Sequence, residues 1–241
     1  MATTIIEENS KKFTISYEIL NHSGTKDIIF LHGWGSNKEV MKSAFGKLFP
    51  QFRHVYVDLP GFGKSSNEYV LSTKDYANVL DLFLKEKGFE KDVIVGHSFG
   101  GKVATLLSPQ LLVLLSSAGI VWPKPLKVRV KIALFKMLKP FGKNLRRFFV
   151  AQDAKGMSEN MYETFKNVVD EDFSSVFANF RGEALLFWGK DDRATPLKSA
   201  YRIKELIPKS ELFVYDGDHY FFLQYAEQIA KEIECKAADV L

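Results

Sequence analysis

Apolar residues along this chain gather in short, nearly continuous runs separated by longer stretches of helical spacing. The runs "DIIFLHG" (27–33), "HVYVDLP" (54–60), "DVIVGHS" (92–98), "LLVLLSSAG" (111–119), "ALLFWGK" (184–190) and "ELFVYDG" (211–217) read as strands. Runs without polar alternation are expected of strands covered on both faces, as in parallel sheets. By contrast, "KKFTISYEIL" (11–20) alternates and predicts an antiparallel strand at the N-terminal edge. Helical spacing is met best at 73–87, 99–107, 197–206 and 221–235. Together these patterns predict an α/β fold, a mostly parallel twisted sheet of about eight strands with helices on both faces.

The rhythm breaks between Gly119 and Ala184. Val128, Ile132, Phe135 and Leu138 keep helical spacing, Val130, Leu134 and Met137 form a second stripe, and an acidic helical pattern follows around 157–172. This predicts a core built from residues 1–119 and 180–241, with residues 120–179 inserted as a helical cap. The cap is expected over the C-terminal edge of the sheet, where open α/β sheets bind ligands.

Charge adds one feature to this picture. The net charge is +4, but residues 123–148 hold nine cations and no acid, and the remainder has 24 cations against 29 acids. The basic character therefore belongs to one segment and does not point to nucleic acid. That segment is a candidate docking surface for an acidic acyl carrier protein or an anionic substrate; alternatively, it pairs with the acidic helix at 157–172. The lone Cys235 rules out an internal disulfide and a cysteine-built zinc site. With no signal-peptide pattern and no apolar run of membrane-spanning length, the expectation is a cytoplasmic protein without a transmembrane segment.

The stretch "VGHSFGGKVA" carries two competing motifs. Gly96, Ser98 and Gly100 spell the strand-to-helix turn that exposes a nucleophilic serine, while Gly96 through Lys102 nearly spell a phosphate loop. A phosphate loop needs a hydroxyl after its lysine to hold magnesium, and the residue there is Val103. Another near-match to a phosphate loop, "GFGKSS" (61–66), has Asp58 where the leading glycine belongs, and a carboxylate there repels phosphate. On the serine reading, Lys102 becomes an ordinary solvated helix residue. A serine needs an imidazole to take its proton, and the imidazole needs a carboxylate. "WGKDDRATP" (188–196) and "DGDHYFF" (216–222) each follow an apolar strand and supply both types. Of the five histidines, His219 alone lies on a late loop after the carboxylates. His32 and His97 are expected to make structural hydrogen bonds, and His22 and His54 to be solvated.

The motifs "HGWG" (32–35), "DLPGFGKS" (58–65), "GHSFGG" (96–101), "WGKDDRATP" and "DGDHY", in that order, resemble the α/β-hydrolase fold superfamily from end to end. The resemblance implies a triad of Ser98, Asp192 and His219. The family spacing selects Asp192 over Asp191, and Asp218 is left with a local turn role. It also implies an oxyanion hole made by the backbone N–H groups of Trp34 and Phe99, with no metal and no cofactor. Asp58, Pro60, Gly61 and Gly63 are expected to build a turn and nothing more. Trp34, His97, Trp122 and Tyr220 are the candidates for the substrate pocket.

"HGWGSNKEVM" followed by "DLPGFGKS" is most similar to small carboxylesterases of the pimeloyl-carrier-protein methyl ester esterase type. The implied activity is hydrolysis of a small or carrier-bound acyl ester through an acyl-enzyme. At the turn, His97 and Phe99 replace the Trp and Leu of that type. The alternatives are a carbon–carbon hydrolase of the 2-hydroxy-6-oxohepta-2,4-dienoate type and a non-catalytic receptor that keeps the fold. "HGWG", His97 and Tyr220 each depart from the carbon–carbon hydrolase pattern, and an intact triad argues against a receptor.

Overall fold

A computed structural model describes residues 1–123 and 157–241. Nearly all of the basic segment 123–148, with the apolar stripes expected on it, lies outside the described residues. The strands among the described residues are β1 (Ala2–Glu8), β2 (Lys11–Leu20), β3 (Lys26–Leu31), β4 (Phe52–Val57), β5 (Val93–His97), β6 (Leu111–Leu115), β7 (Glu183–Gly189) and β8 (Ser210–Tyr215). They form a single sheet in the order β1-β2-β4-β3-β5-β6-β7-β8. The pairs β1–β2 and β2–β4 are antiparallel, and the remaining neighbours are parallel.

The helices among the described residues are α1 (Lys38–Phe45), α2 (Thr73–Lys87), α3 (Phe99–Leu107), α4 (Glu159–Val168), α5 (Ser174–Asn179), α6 (Leu197–Leu206) and α7 (Ala226–Val240). Alternate strand residues feed two cores, as the pleat requires. Ile29, Leu31, Ile94, Leu112 and Leu186 meet α2, α3 and α6 on one face. Ile28, Phe30, Val93, Val95 and Val113 meet α1 and α7 on the other. Central strands covered on both sides explain the near-continuous apolar runs.

The differences from expectation have local causes. The run at 111–119 stops as a strand at Leu115, because Ser116 takes φ 43° and turns the chain out of the ladder. The helix expected at 221–235 starts only at Ala226, after a 3-10 turn at Phe221–Leu223. That turn buries two adjacent rings, Phe222 stacking on Phe45 and Phe221 on Tyr215. Helix α1 falls outside the predicted helices, although Asn37 accepts a hydrogen bond from the Glu39 N–H (3.0 Å) as its cap. His54 is buried instead of solvated; its Nε2 donates to the Phe49 carbonyl (3.0 Å) and its Nδ1 accepts from the Tyr56 hydroxyl (3.1 Å).

Candidate active site

Strand β3 has β4 on one side and β5 on the other, so the chain changes winding direction between β3 and β5. At such a point the connections leave in opposite directions and open a crevice at the carboxyl ends of the strands. Leu31 pairs in register with Gly96 there, which puts the loop 32–35 beside the turn at Ser98.

Ser98 adopts φ 52° and ψ −114°, a conformation that costs a non-glycine residue about 1–3 kcal/mol. The turn is held from both sides. The Ser98 N–H donates to the Leu115 carbonyl, and its own carbonyl accepts from the Gly101 and Ala118 N–H groups, all at 3.0 Å. A Cβ on Gly96 would lie 2.5 Å from the Gly100 carbonyl oxygen, and one on Gly100 would lie 2.4 Å from that of Leu31. Both contacts are with backbone and cannot be relieved by a rotamer change, which is why the motif needs glycine at these positions. Phe99 opens α3, and the first N–H groups of a helix have no intrahelical acceptor.

Asp192 and His219, 27 residues apart, meet directly: His219 Nδ1 lies 2.7 Å from Asp192 Oδ2. Asp192 is buried; its Oδ1 accepts from the N–H groups of Ala194 (2.8 Å) and Thr195 (2.9 Å). Burial raises its pKa, but the hydrogen bond and charge of His219, with the Thr195 N–H, outweigh that and hold it at about 2. The carboxylate therefore stays ionised and keeps the His219 proton on Nδ1, which leaves Nε2 able to accept one. Asp191 and Asp218 are both exposed, and Asp218 accepts from the Tyr220 N–H (2.8 Å) in a local turn. Sequence reasoning missed Thr195, whose hydroxyl lies 2.8 Å from Asp192 Oδ2 and 3.0 Å from the Ser116 carbonyl. The signal available was Thr three residues after Asp in a turn.

The other two histidines of the motifs are buried and neutral. His32 Nδ1 donates to the Gly33 carbonyl (2.7 Å) and its Nε2 accepts from the Leu59 N–H (3.0 Å). Burial pushes its pKa down to about 4. Since C=O and N–H point opposite ways across a trans peptide, this bond aims the Trp34 N–H away from His32. His97 Nε2 donates to the main-chain carbonyl of His219 (3.0 Å), and burial pushes His97 down to about 3.

Asp58 does more than build a turn. Its carboxylate accepts from Lys38 Nζ (2.6 Å), the Lys38 N–H (2.8 Å) and the Lys64 N–H (3.0 Å), with both charged side chains buried. This pair fastens the start of α1, and with it the end of the 32–37 loop, to the turn at 58–64.

A cavity of about 450 Å³ is lined by Ser98, His219, Trp34, Phe99, His97 and Tyr220, together with Lys102, Phe165 and Val168. The Trp34 ring packs on Phe62, Phe99 and Phe165 at 4.8–5.4 Å. Trp122, expected in the same pocket, lines a neighbouring cavity that shares Ala118, Val169, Ala194 and Thr195 with the first. Its indole donates to the Ser199 hydroxyl (2.8 Å), and Lys198 covers its ring. Among the described residues, no group of three or more His, Cys, Asp or Glu is placed to hold a metal ion, and no helix is long and apolar enough to cross a membrane.

The profile of the alpha/beta hydrolase family matches residues 28–232. A pimeloyl-[acyl-carrier protein] methyl ester esterase of Vibrio campbellii is 28% identical over 88% of this chain and 94% of its own length. Among solved structures, an esterase from Exiguobacterium antarcticum superposes with a TM-score of 0.76 at 20% identity, covering 98% of this chain and all of its own. A meta-cleavage product hydrolase from Pseudomonas fluorescens IP01 gives 0.70 at 18% identity over 95% of both chains. At these identities the two structures speak for the fold and not for the bond that is cleaved.

Proposed function

This chain belongs to the alpha/beta hydrolase family, and we propose that it is a serine hydrolase that cleaves carboxylic esters through an acyl-enzyme. Ser98 is the nucleophile, His219 the general base and then acid, and Asp192 the carboxylate that orients it. The observation that carries this reading is the 2.7 Å contact between His219 Nδ1 and Asp192 Oδ2, beside a cavity that His219 shares with Ser98.

In the first half-reaction Ser98 Oγ attacks the ester carbonyl while its proton passes to His219 Nε2. The negative oxygen of the tetrahedral intermediate is received by the N–H groups of Trp34 and Phe99. Collapse breaks the bond to the alkoxy group, which leaves as the alcohol with the proton from His219. Water then repeats the sequence, its proton going to His219, and releases the acid and free Ser98. The ionised Asp192 stabilises the imidazolium in both halves without taking the proton.

Ester cleavage is preferred to carbon–carbon cleavage because the long relative at 28% identity is named a methyl ester esterase. That name also supports an acyl group carried on acyl carrier protein, and the nine cations of residues 123–148 suit such an acidic partner. Of the cap expected at residues 120–179, residues 124–156 lie outside the described residues, and the described α4 lines the cavity with Phe165 and Val168. The test is a panel of p-nitrophenyl and methyl esters run beside one ring-cleavage dienoate, with fluorophosphonate labelling. We expect ester turnover, and labelling that Ser98→Ala abolishes. Turnover of the dienoate alone would overturn the choice of bond, and labelling that survives Ser98→Ala would overturn the nucleophile.

A further inference from the structure

Lys102, the lysine of the failed phosphate loop, is 1% exposed although the sequence pattern predicts a solvated side chain. It follows Ser98, the residue that precedes α3, by four residues, and the two line the same cavity. Helical side chains lean toward the N-terminus, which brings Lys102 back into the wall of the cavity that Ser98 lines.

The ammonium is fully engaged. It donates to the Val168 carbonyl (2.8 Å), pairs with Glu171 Oε2 (2.8 Å) and lies 4.5 Å from the centre of the Phe173 ring. Glu171 in turn accepts from the Thr73 hydroxyl at the start of α2. Burial draws the lysine's pKa down while Glu171 pulls it up. With its donors already directed at these groups, Lys102 has no free donor with which to read a charge on the substrate, so it acts as a fixed wall.

The wall it fixes is the inner stripe of α4. Met161, Phe165 and Val168 recur at helical spacing, Phe165 packs on Trp34, and Phe165 and Val168 line the cavity. The adjoining face of α4 is tied to the loop at 67–71. Asn160 donates to the Asn67 carbonyl (2.9 Å), Thr164 accepts from the Leu71 N–H (3.0 Å), and Asn167 donates to the Leu71 carbonyl (3.3 Å). Lys102 supplies the matching anchor at the C-terminal end of α4.

We propose that Lys102 determines acyl-chain specificity: its stem closes the cavity that Ser98 lines, and its ammonium pins Val168 and Glu171 so that longer chains are excluded. This rests on Ser98 being the acylated residue. The test is kcat/KM for p-nitrophenyl esters from acetate to decanoate, in wild type, Lys102→Ala and Lys102→Met. Shortening the wall should raise the decanoate-to-acetate ratio by about tenfold in Lys102→Ala, the scale on which a pocket discriminates by one or a few methylenes. Lys102→Met keeps the stem and releases the pin, and should raise the ratio by a smaller factor. Should Lys102→Ala fail to fold, Lys102→Met and Glu171→Gln carry the test. A ratio equal to wild type in every folded variant, with any loss shared equally by all chain lengths, would overturn the proposal. Absence of ester turnover in wild type would instead overturn the hydrolase reading, and this inference with it.

Discussion

The imidazole of His97 donates from Nε2 to the main-chain carbonyl of His219 at 3.0 Å. The residue before the proposed nucleophile thus holds the loop that presents the proposed base. Its ring also packs against those of His219, Tyr220 and Phe222 at 4.6–5.1 Å. His97→Phe keeps that packing and removes the donor, so kcat should fall about tenfold, the scale of a small misplacement of a catalytic group, with KM little changed. His97→Gln, which returns an N–H, should recover most of the loss. Equal loss in both variants, tracking their melting temperatures, would reduce His97 to a packing residue.

The contact between Asp192 and His219 makes a sharper demand. Asp192→Asn preserves shape but offers His219 an N–H donor or a neutral oxygen, so the imidazole loses its fixed tautomer and its counter-charge. The expected loss in kcat is about 10³–10⁴-fold, with protein stability reduced much less than activity. Steady-state rates on p-nitrophenyl acetate, normalised by active-site titration, measure it. A loss under tenfold would remove Asp192 from the mechanism.

The buried Lys38–Asp58 pair is expected to matter through folding. Asp58→Ala removes the close carboxylate from an almost wholly buried ammonium, which keeps the Ser16 hydroxyl at 3.0 Å and Glu39 at 3.9 Å, and strands two N–H groups, a change that costs about 3 kcal/mol. Urea unfolding of the single variant should show that loss, and Lys38→Met in the same chain should restore part of it. If the double variant is no more stable than Asp58→Ala alone, the stranded charge is not the cause.

Buried neutral histidines set the response to acid. The pKa of His32 is about 4 in the folded protein against 6.5 for the free side chain, so the unfolded chain binds the proton first. Stability from this site is complete above pH 6.5 and is lost as pH falls toward 4, on the order of 3 kcal/mol across the window. His97 acts in the same direction and its window extends to about 3. Urea midpoints taken between pH 7 and 4.5 should fall in wild type and fall less steeply in His32→Asn. Parallel curves would show that His32 is not the group responsible.

Seven of the eight strands and their order along the chain were legible in the sequence, because apolar runs report burial on two faces residue by residue; β1 and α1 were not. The Ser98 turn was legible for a similar local reason, since Gly96 and Gly100 answer backbone contacts made within and beside the motif. The late loops with Asp192 and His219 could be recognised by residue type and order. The family spacing already selected Asp192 over Asp191, and the turn after β7 buries that carboxylate against His219. Not legible were Lys102, His54 and Asp58, which the local pattern assigned to solvent or to a simple turn. Each is buried because a distant segment covers it: Val168 and Glu171 over Lys102, Phe30 beside His54, Lys38 against Asp58. Charge and spacing act along the chain and can be read there. Desolvation and its compensating partner depend on chain folded from elsewhere, and only the tertiary structure supplies them.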